Sequence, residues 1–153
     1  MRLRTIMLAA TLAAATALAG CQTSAIDTLE TAAVQSGAQV SVEDNVAAGK
    51  MQFRQANYGL AEQHFRRVVE QRADNAEAWL GLAASYDQLG RFDFADRAYD
   101  QLLRVAGRRP EIVNNLGYSH YLRGDKTKAR ELYQEARRGM SDPTVVDANL
   151  ALL

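Results

Sequence analysis

The chain has 153 residues, 18 basic and 18 acidic side chains, and a single cysteine. That length suits one domain, the balanced charge offers no basic surface for a nucleic acid, and a lone thiol rules out an internal disulfide. Packing alone must hold the fold.

The N-terminus reads as a targeting segment. Arg2 and Arg4 precede an apolar stretch at residues 6–19, which is shorter than the ~20 residues of a membrane-spanning helix. Residues 1–20 are therefore expected to be a signal peptide. Leu18, Ala19, Gly20 and Cys21 resemble the lipobox of bacterial lipoproteins. The resemblance implies that the Cys21 thiol accepts a diacylglycerol and begins the mature chain, and several acyl chains together make a durable bilayer anchor. By similarity to lipoproteins of Gram-negative bacteria, Gln22 after the cysteine implies delivery to the outer membrane, facing the periplasm. Loss of Arg2 and Arg4 leaves the mature chain slightly acidic. Residues 21–41 hold the lipidated cysteine and a stretch rich in Ser, Thr, Ala, Gln and Gly, read as a flexible tether reaching at most about 65–70 Å. Alternatively Ile26, Leu29 and Val34 form a short helix that caps the start of the folded domain.

From residue 42 a repeat sets in. Ala61, Ala95 and Ala129 stand 34 residues apart, each followed four residues later by an aromatic: Phe65, Tyr99 and Tyr133. The same offset links Gly49, Ala83 and Gly117, then Leu82 with Leu116, Tyr86 with His120, and Gly90 with Gly124. The chain thus resembles the tetratricopeptide repeat (TPR) family across residues 42–143, with Trp79, Leu82, Ala83, Tyr86, Ala95 and Tyr99 giving its signature order. The implied fold is all-α: a solenoid of three helix-turn-helix repeats, 42–75, 76–109 and 110–143, closed by a short capping helix at 144–153.

In the second repeat a first helix is expected over 76–89, a turn at Gly90, and a second helix over 92–105. In the third, Pro110 opens the first helix, Gly124 and Asp125 turn, and the second helix covers 127–138. The first repeat is degenerate: Ala48 and Gln52 replace Leu and Tyr, and Ala56 replaces the turn glycine. Gly49, Ala83 and Gly117, with Ala61, Ala95 and Ala129, are expected to let paired helices approach closely. In the cap, Val145, Val146, Leu150, Leu152 and Leu153 form either a buried end or an apolar edge for self-association.

No catalytic or metal constellation emerges, and no cofactor is implied. His64 and His120 fall on helices of different class, and neither CxxC, HExxH nor a phosphate-binding glycine loop occurs. Ser24, Ser36 and Ser41 lie in the tether. Asp87, Asp93, Asp96 and Asp100 read as solvated helix charges, with Arg97 and Arg104 near Asp96 and Asp100. Arg104, Arg108, Arg109, Arg137 and Arg138 read as cations at helix C-termini.

In TPR proteins the first helices of the repeats line a concave groove that holds peptides or partner helices, and this resemblance implies a protein-binding, non-enzymatic chain. Repeat register places Phe53, Arg54, Asp87, Asn114, Asn115, Tyr118 and Tyr121 along the groove, beside Val46, Lys50, Leu80, Ala84, Gln88 and Leu122. The carboxylate clamp of chaperone-binding TPRs is not reproduced: its places hold Val46, Lys50, Gly81, Glu111 and Asn115, and only Asn115 matches. Val113 to Gly117 (VNNLG), Gly124-Asp125, Asp142-Pro143 and Asn149 to Leu152 (NLAL) resemble the TPR lipoproteins of tight-adherence (Flp) pilus assembly. This implies an outer-membrane adaptor for a pilus or secretion machine. The alternative is an adaptor that docks peptidoglycan hydrolases or synthases. The register carries a direct check: Ala95→Leu overfills a close helix crossing and is expected to cost about 1–3 kcal/mol by chemical denaturation, whereas an unchanged midpoint would place Ala95 elsewhere.

Overall fold

The computed structural model describes residues 40–153; the expected leader, the lipidation site Cys21 and nearly all of the tether lie outside these described residues. The described part is seven helices without a strand: α1 (Val42–Arg54), α2 (Tyr58–Gln71), α3 (Ala76–Gln88), α4 (Phe92–Ala106), α5 (Pro110–Leu122), α6 (Lys126–Gly139) and α7 (Thr144–Leu150). None is long and apolar enough to cross a membrane.

Local chemistry explains the boundaries. The Asp44 amide donates to Ser41 Oγ, the Ala78 amide to Asn75 Oδ1, and the Lys128 amide to Asp125 Oδ1, so three helices begin on a side-chain cap. Pro110 starts α5, where its missing N–H is no loss. Between the two helices of each repeat the chain reverses through one left-handed residue: Ala56 at φ 59°, Gly90 at 68° and Gly124 at 87°. The next residue then donates back to the preceding helix, Asn57 to the Gln52 carbonyl, Arg91 to Tyr86 and Asp125 to His120, each at 2.9 Å. The turn geometry therefore persists in the first repeat even though alanine has replaced glycine.

The helices pair as α1 with α2, α3 with α4, and α5 with α6, and α7 packs on α6. The first helices also touch across repeats, α1 with α3 and α3 with α5, forming an inner layer, with α2, α4 and α6 outside. Ala61, Ala95 and Ala129 are all fully buried in the crossings. The glycines of the inner helices make room for rings. A Cβ on Gly49 or Gly81 would lie 2.8 or 2.4 Å from the Phe65 ring, and one on Gly117 would lie 2.7 Å from Tyr133. Close approach was expected at Gly49 and Gly117; what approaches is an aromatic side chain of the outer helix, and the neighbouring inner helix contributes Gly81 to the same packing.

Ion pairs stitch the repeats, and three of them join residues 27 positions apart: Lys50–Glu77, Arg123–Asp96 and Arg108–Glu135. Asp96 therefore does not depend on Arg97 or Arg104 of its own helix, as expected from sequence; the guanidinium of Arg123, which follows α5, grips both its oxygens at 2.9 and 2.7 Å. At the far end α7 combines the two expectations for the cap. Val146 is fully buried, and Leu150 and Leu153 pack on the core around Tyr133, while Val145 and Leu152 face outward.

Ala56 is the only non-glycine residue with positive φ among those described. Its Cβ works against the left-handed conformation, by roughly 1–2 kcal/mol, whereas glycine adopts it freely at a smaller entropic cost. Ala56→Gly is expected to raise unfolding stability by roughly 0.5–1 kcal/mol. Urea titration of the variant beside wild type measures this, and a lower midpoint would contradict it.

Candidate functional site

The inner helices enclose a continuous depression. Its first cavity, about 500 Å³, is bordered by Val42, Val46, Ala47 and Lys50 of α1 and Glu77 of α3. The second, about 350 Å³, lies at the seam of the first two repeats, lined by Phe53, Phe65, Leu80, Gly81, Ala84 and Asn115. A third, also about 350 Å³, runs between Ala76, Leu80, Leu102 and Ile112. Lys50, Arg54 and Glu77 border both the first and second cavities, and Glu77 and Leu80 both the second and third, so the three form one track. Lys50 Nζ bridges the seam to Glu77 Oε1 at 2.7 Å. Arg54 is exposed and has no ion-pair partner among the described residues.

Of the residues that the sequence places along the groove, Phe53, Arg54 and Asn115 come together in the second cavity with Lys50, Leu80 and Ala84. Phe53 is held edge-on against Tyr58, centroids 5.2 Å apart. Asn115 Nδ2 donates to the Glu111 carbonyl of its own helix at 2.8 Å, which fixes the amide's orientation. Tyr118 and Tyr121 are half-buried, with ring centroids 5.9 Å apart, and both pack toward the core formed by Val113, Tyr133 and Val146. Tyr133 beneath them is fully buried; its hydroxyl has no partner among the described residues, and burial, then the neighbouring Tyr118 and Tyr121, push its pKa up to about 12.

Asp87 and Asn114 are not groove residues. Asp87 is only 4% exposed. Its carboxylate turns into the seam of the second and third repeats, accepting from Ser119 Oγ at 2.6 Å and from the Tyr99 hydroxyl at 3.1 Å, with Arg123 at 4.0 Å. The reading of Asp87 as a solvated charge is corrected too: the phenol one helix away gives it an interior partner that register alone does not reveal. Burial raises the Asp87 pKa above the ordinary aspartate value, while the two hydroxyls and Arg123 act in the opposite direction. Asn114 is buried because α7 covers it, and its Oδ1 accepts from Asn149 Nδ2 at 2.9 Å.

Sequence reasoning missed the contributions of Phe65, Glu77 and Gly81 to the groove. A signal existed: Gly81 occupies the column that holds Asn115 in the next repeat, so a side chain disappears where the cavity forms. Among the described residues no three His, Cys, Asp or Glu side chains converge in a way that could hold a metal. His64 Nδ1 pairs with Asn45 Oδ1 at 3.1 Å and His120 Nδ1 with Asp125 Oδ2 at 3.3 Å, each within its own repeat.

Residues 46–95 and 85–143 match the sequence profile of the tetratricopeptide repeat. The chain belongs to the tetratricopeptide repeat family. Over 100 residues it is 30% identical to the cytochrome c-type biogenesis protein CycH of Pseudomonas aeruginosa, covering 62% of this chain and 24% of that protein. Over 120 residues it is 24% identical to the formate-dependent nitrite reductase complex bifunctional subunit NrfFG of Haemophilus influenzae, covering 78% of this chain and 31% of that one. The chain thus spans about a quarter to a third of the length of these curated relatives. Its fold is similar to that of the Yersinia enterocolitica type III secretion chaperone SycD in complex with a peptide of the translocator YopD, with a TM-score of 0.62 at 17% identity, covering 74% of this chain and 95% of that one.

The buried carboxylate of this TPR array carries a pH signature. With its folded pKa raised, Asp87 binds a proton more readily in the folded than in the unfolded chain, so its contribution to stability is full below about pH 4 and is lost as pH rises through the folded value. The stability of wild type relative to Asp87→Asn should therefore fall as pH rises above about 4. Asp87→Ala, which leaves the Tyr99 hydroxyl only a long contact to the Asn115 carbonyl at 3.4 Å and deprives Ser119 of its acceptor, is expected to cost roughly 1–3 kcal/mol at about pH 4. Denaturant titrations over a rising pH series decide both points; a constant difference between wild type and Asp87→Asn would show that the buried group titrates normally.

Proposed function

We propose that this protein is a non-catalytic interaction scaffold, lipid-anchored through Cys21 at the periplasmic face of the outer membrane of a Gram-negative bacterium, whose groove captures a segment of an envelope assembly factor such as a pilus or secretion component. The observation that carries the reading is the continuous track along α1, α3 and α5: half-exposed apolar walls with fixed polar groups at the rim, open along its length. Such a surface buries an extended chain while leaving its backbone groups room to pair. Supporting the envelope setting are the leader and the lipobox-like residues 18–21, and relatives whose names place them in cytochrome c biogenesis and in a nitrite reductase complex. The peptide-bound state of SycD supports capture of a protein segment.

Mechanism in this setting is positioning. An anchor confines the scaffold to a membrane surface and a tether sets its reach, so a modest groove affinity is multiplied by effective concentration. Two measurements test the proposal. Metabolic labelling with palmitate should mark the full-length protein and be lost in Cys21→Ala. A photo-crosslinking residue at Ala84, inside the groove, should trap a pilus or secretion component in the native host, whereas the same residue at Arg130, on the outer helix α6, should not. Adducts with peptidoglycan hydrolases or synthases at Ala84 would replace the assembly partner, and adducts confined to Arg130 would remove the groove from function.

A further inference from the structure

The three repeats do not contribute equally to the track. At the seam of the first two, Gly81 has no side chain, Phe53 and Leu80 present apolar faces, Ala84 is small, and the Phe65 ring lies across the gap. Shifting each position by one repeat changes the residues: Gly81 becomes Asn115, Phe53 becomes Asp87, Leu80 becomes Asn114, and Ala84 becomes Tyr118. The columns that leave an apolar opening at the first seam therefore carry polar or bulky side chains one repeat on, where the apolar lining comes instead from Leu80, Leu102, Ala106 and Ile112. The first-seam cavity's volume of about 350 Å³ suits one large side chain rather than a whole helix.

Charge narrows the occupant further. Two cations and one carboxylate border this cavity. Lys50 and Glu77 neutralise each other at 2.7 Å, and among the described residues the Arg54 guanidinium on the rim has no ion-pair partner. A guanidinium beside an apolar pocket favours a carboxylate held a short distance from whatever fills the pocket.

We propose that the seam of the first two repeats is an anchor site for one aromatic or leucine side chain carried next to an aspartate or glutamate in an extended protein segment. This rests on the groove reading above and adds the chemistry of the segment that the groove takes. The aromatic or branched side chain packs against Phe65, Phe53 and Leu80, the adjacent carboxylate pairs with Arg54, and Asn115 Oδ1 accepts a backbone N–H of the same segment. Selectivity arises because both features must arrive together.

The test is selection of random dodecapeptides against the full-length protein, followed by fluorescence anisotropy with the fluorescein-labelled peptides obtained. Enriched sequences should place Phe, Trp or Leu within two positions of Asp or Glu. Replacing the anchor residue of the peptide by alanine, or filling the cavity with Ala84→Arg, should weaken binding at least about tenfold. Arg54→Glu should shift the selected neighbour from acidic to basic. Circular dichroism of both variants verifies that they fold. Peptides that lack the paired signature but are still blocked by Ala84→Arg would overturn the anchor assignment and leave the groove reading intact. Peptides indifferent to Ala84→Arg, or a failure to select any, would overturn both. Self-association of the protein that Ala84→Arg abolishes would assign the cavity to a second copy and overturn the anchor proposal.

Discussion

The arrangement depends on one ring per repeat. Phe65, Tyr99 and Tyr133 occupy the same position of the outer helix, and each reaches inward between its own inner helix and the next. Rings of this size fit a tight crossing when the facing positions are small: Gly49 and Gly81 stand opposite Phe65, and Gly117 stands opposite Tyr133. The ring spaces the inner helices, and that spacing creates the floor of the groove. Around each ring the local chemistry then differs. Phe65 shares its seam with Phe53, which leaves an apolar opening; Tyr99 meets Asp87, which binds its hydroxyl; Tyr133 lies under Tyr118 and Tyr121 and is sealed by them.

The middle seam accepts an expensive group. A buried carboxylate is unfavourable unless its lone pairs are occupied and a cation is near. Here the Tyr99 and Ser119 hydroxyls donate to Asp87, Arg123 approaches it, and Arg123 is itself held by Asp96. The network joins α3, α4 and the end of α5, so three helices share one polar node whose carboxylate, Asp87, is turned away from the groove. Stability in a repeat array is a sum of such nearest-neighbour terms. The groove benefits indirectly: Asp87 and Asn114, which register would place along it, are consumed between helices, and the second cavity keeps apolar walls with Lys50, Arg54 and Glu77 at its border.

Much of the fold was legible because repetition multiplies weak signals. One small-residue-to-aromatic spacing means little, but three in phase imply helices, turns and crossings together; the helix ends expected in the second and third repeats agree with the observed ones within one residue, whereas the cap expected over 144–153 ends at Leu150. Even the degenerate turn at Ala56 was visible as a missing glycine, although its retained left-handed backbone was not. The site was less legible. Register identified the inner helices and hence Phe53, Arg54 and Asn115, but it treats every residue in a column alike. Whether a column residue faces the groove or the seam depends on its partners. Asp87 turned inward because Tyr99 carries a hydroxyl where the first repeat has Phe65, and Asn114 was covered because α7 supplies Asn149. Such pairings act between columns, and a single-column pattern does not contain them. Cys21 and the leader lie outside the described residues.

The spacing of the cross-repeat contacts also bears on how the chain reaches this shape. Among the described residues, no side-chain hydrogen bond joins positions more than 35 apart, the separation between Asn114 and Asn149. Every polar tie is thus complete once the next repeat is present, and no element waits for a distant stretch of chain. Closing such short loops costs little entropy, and topologies built from local contacts cross their folding barrier quickly. Condensation can therefore advance helix pair by helix pair along the chain, with little time for bare apolar faces to meet another molecule.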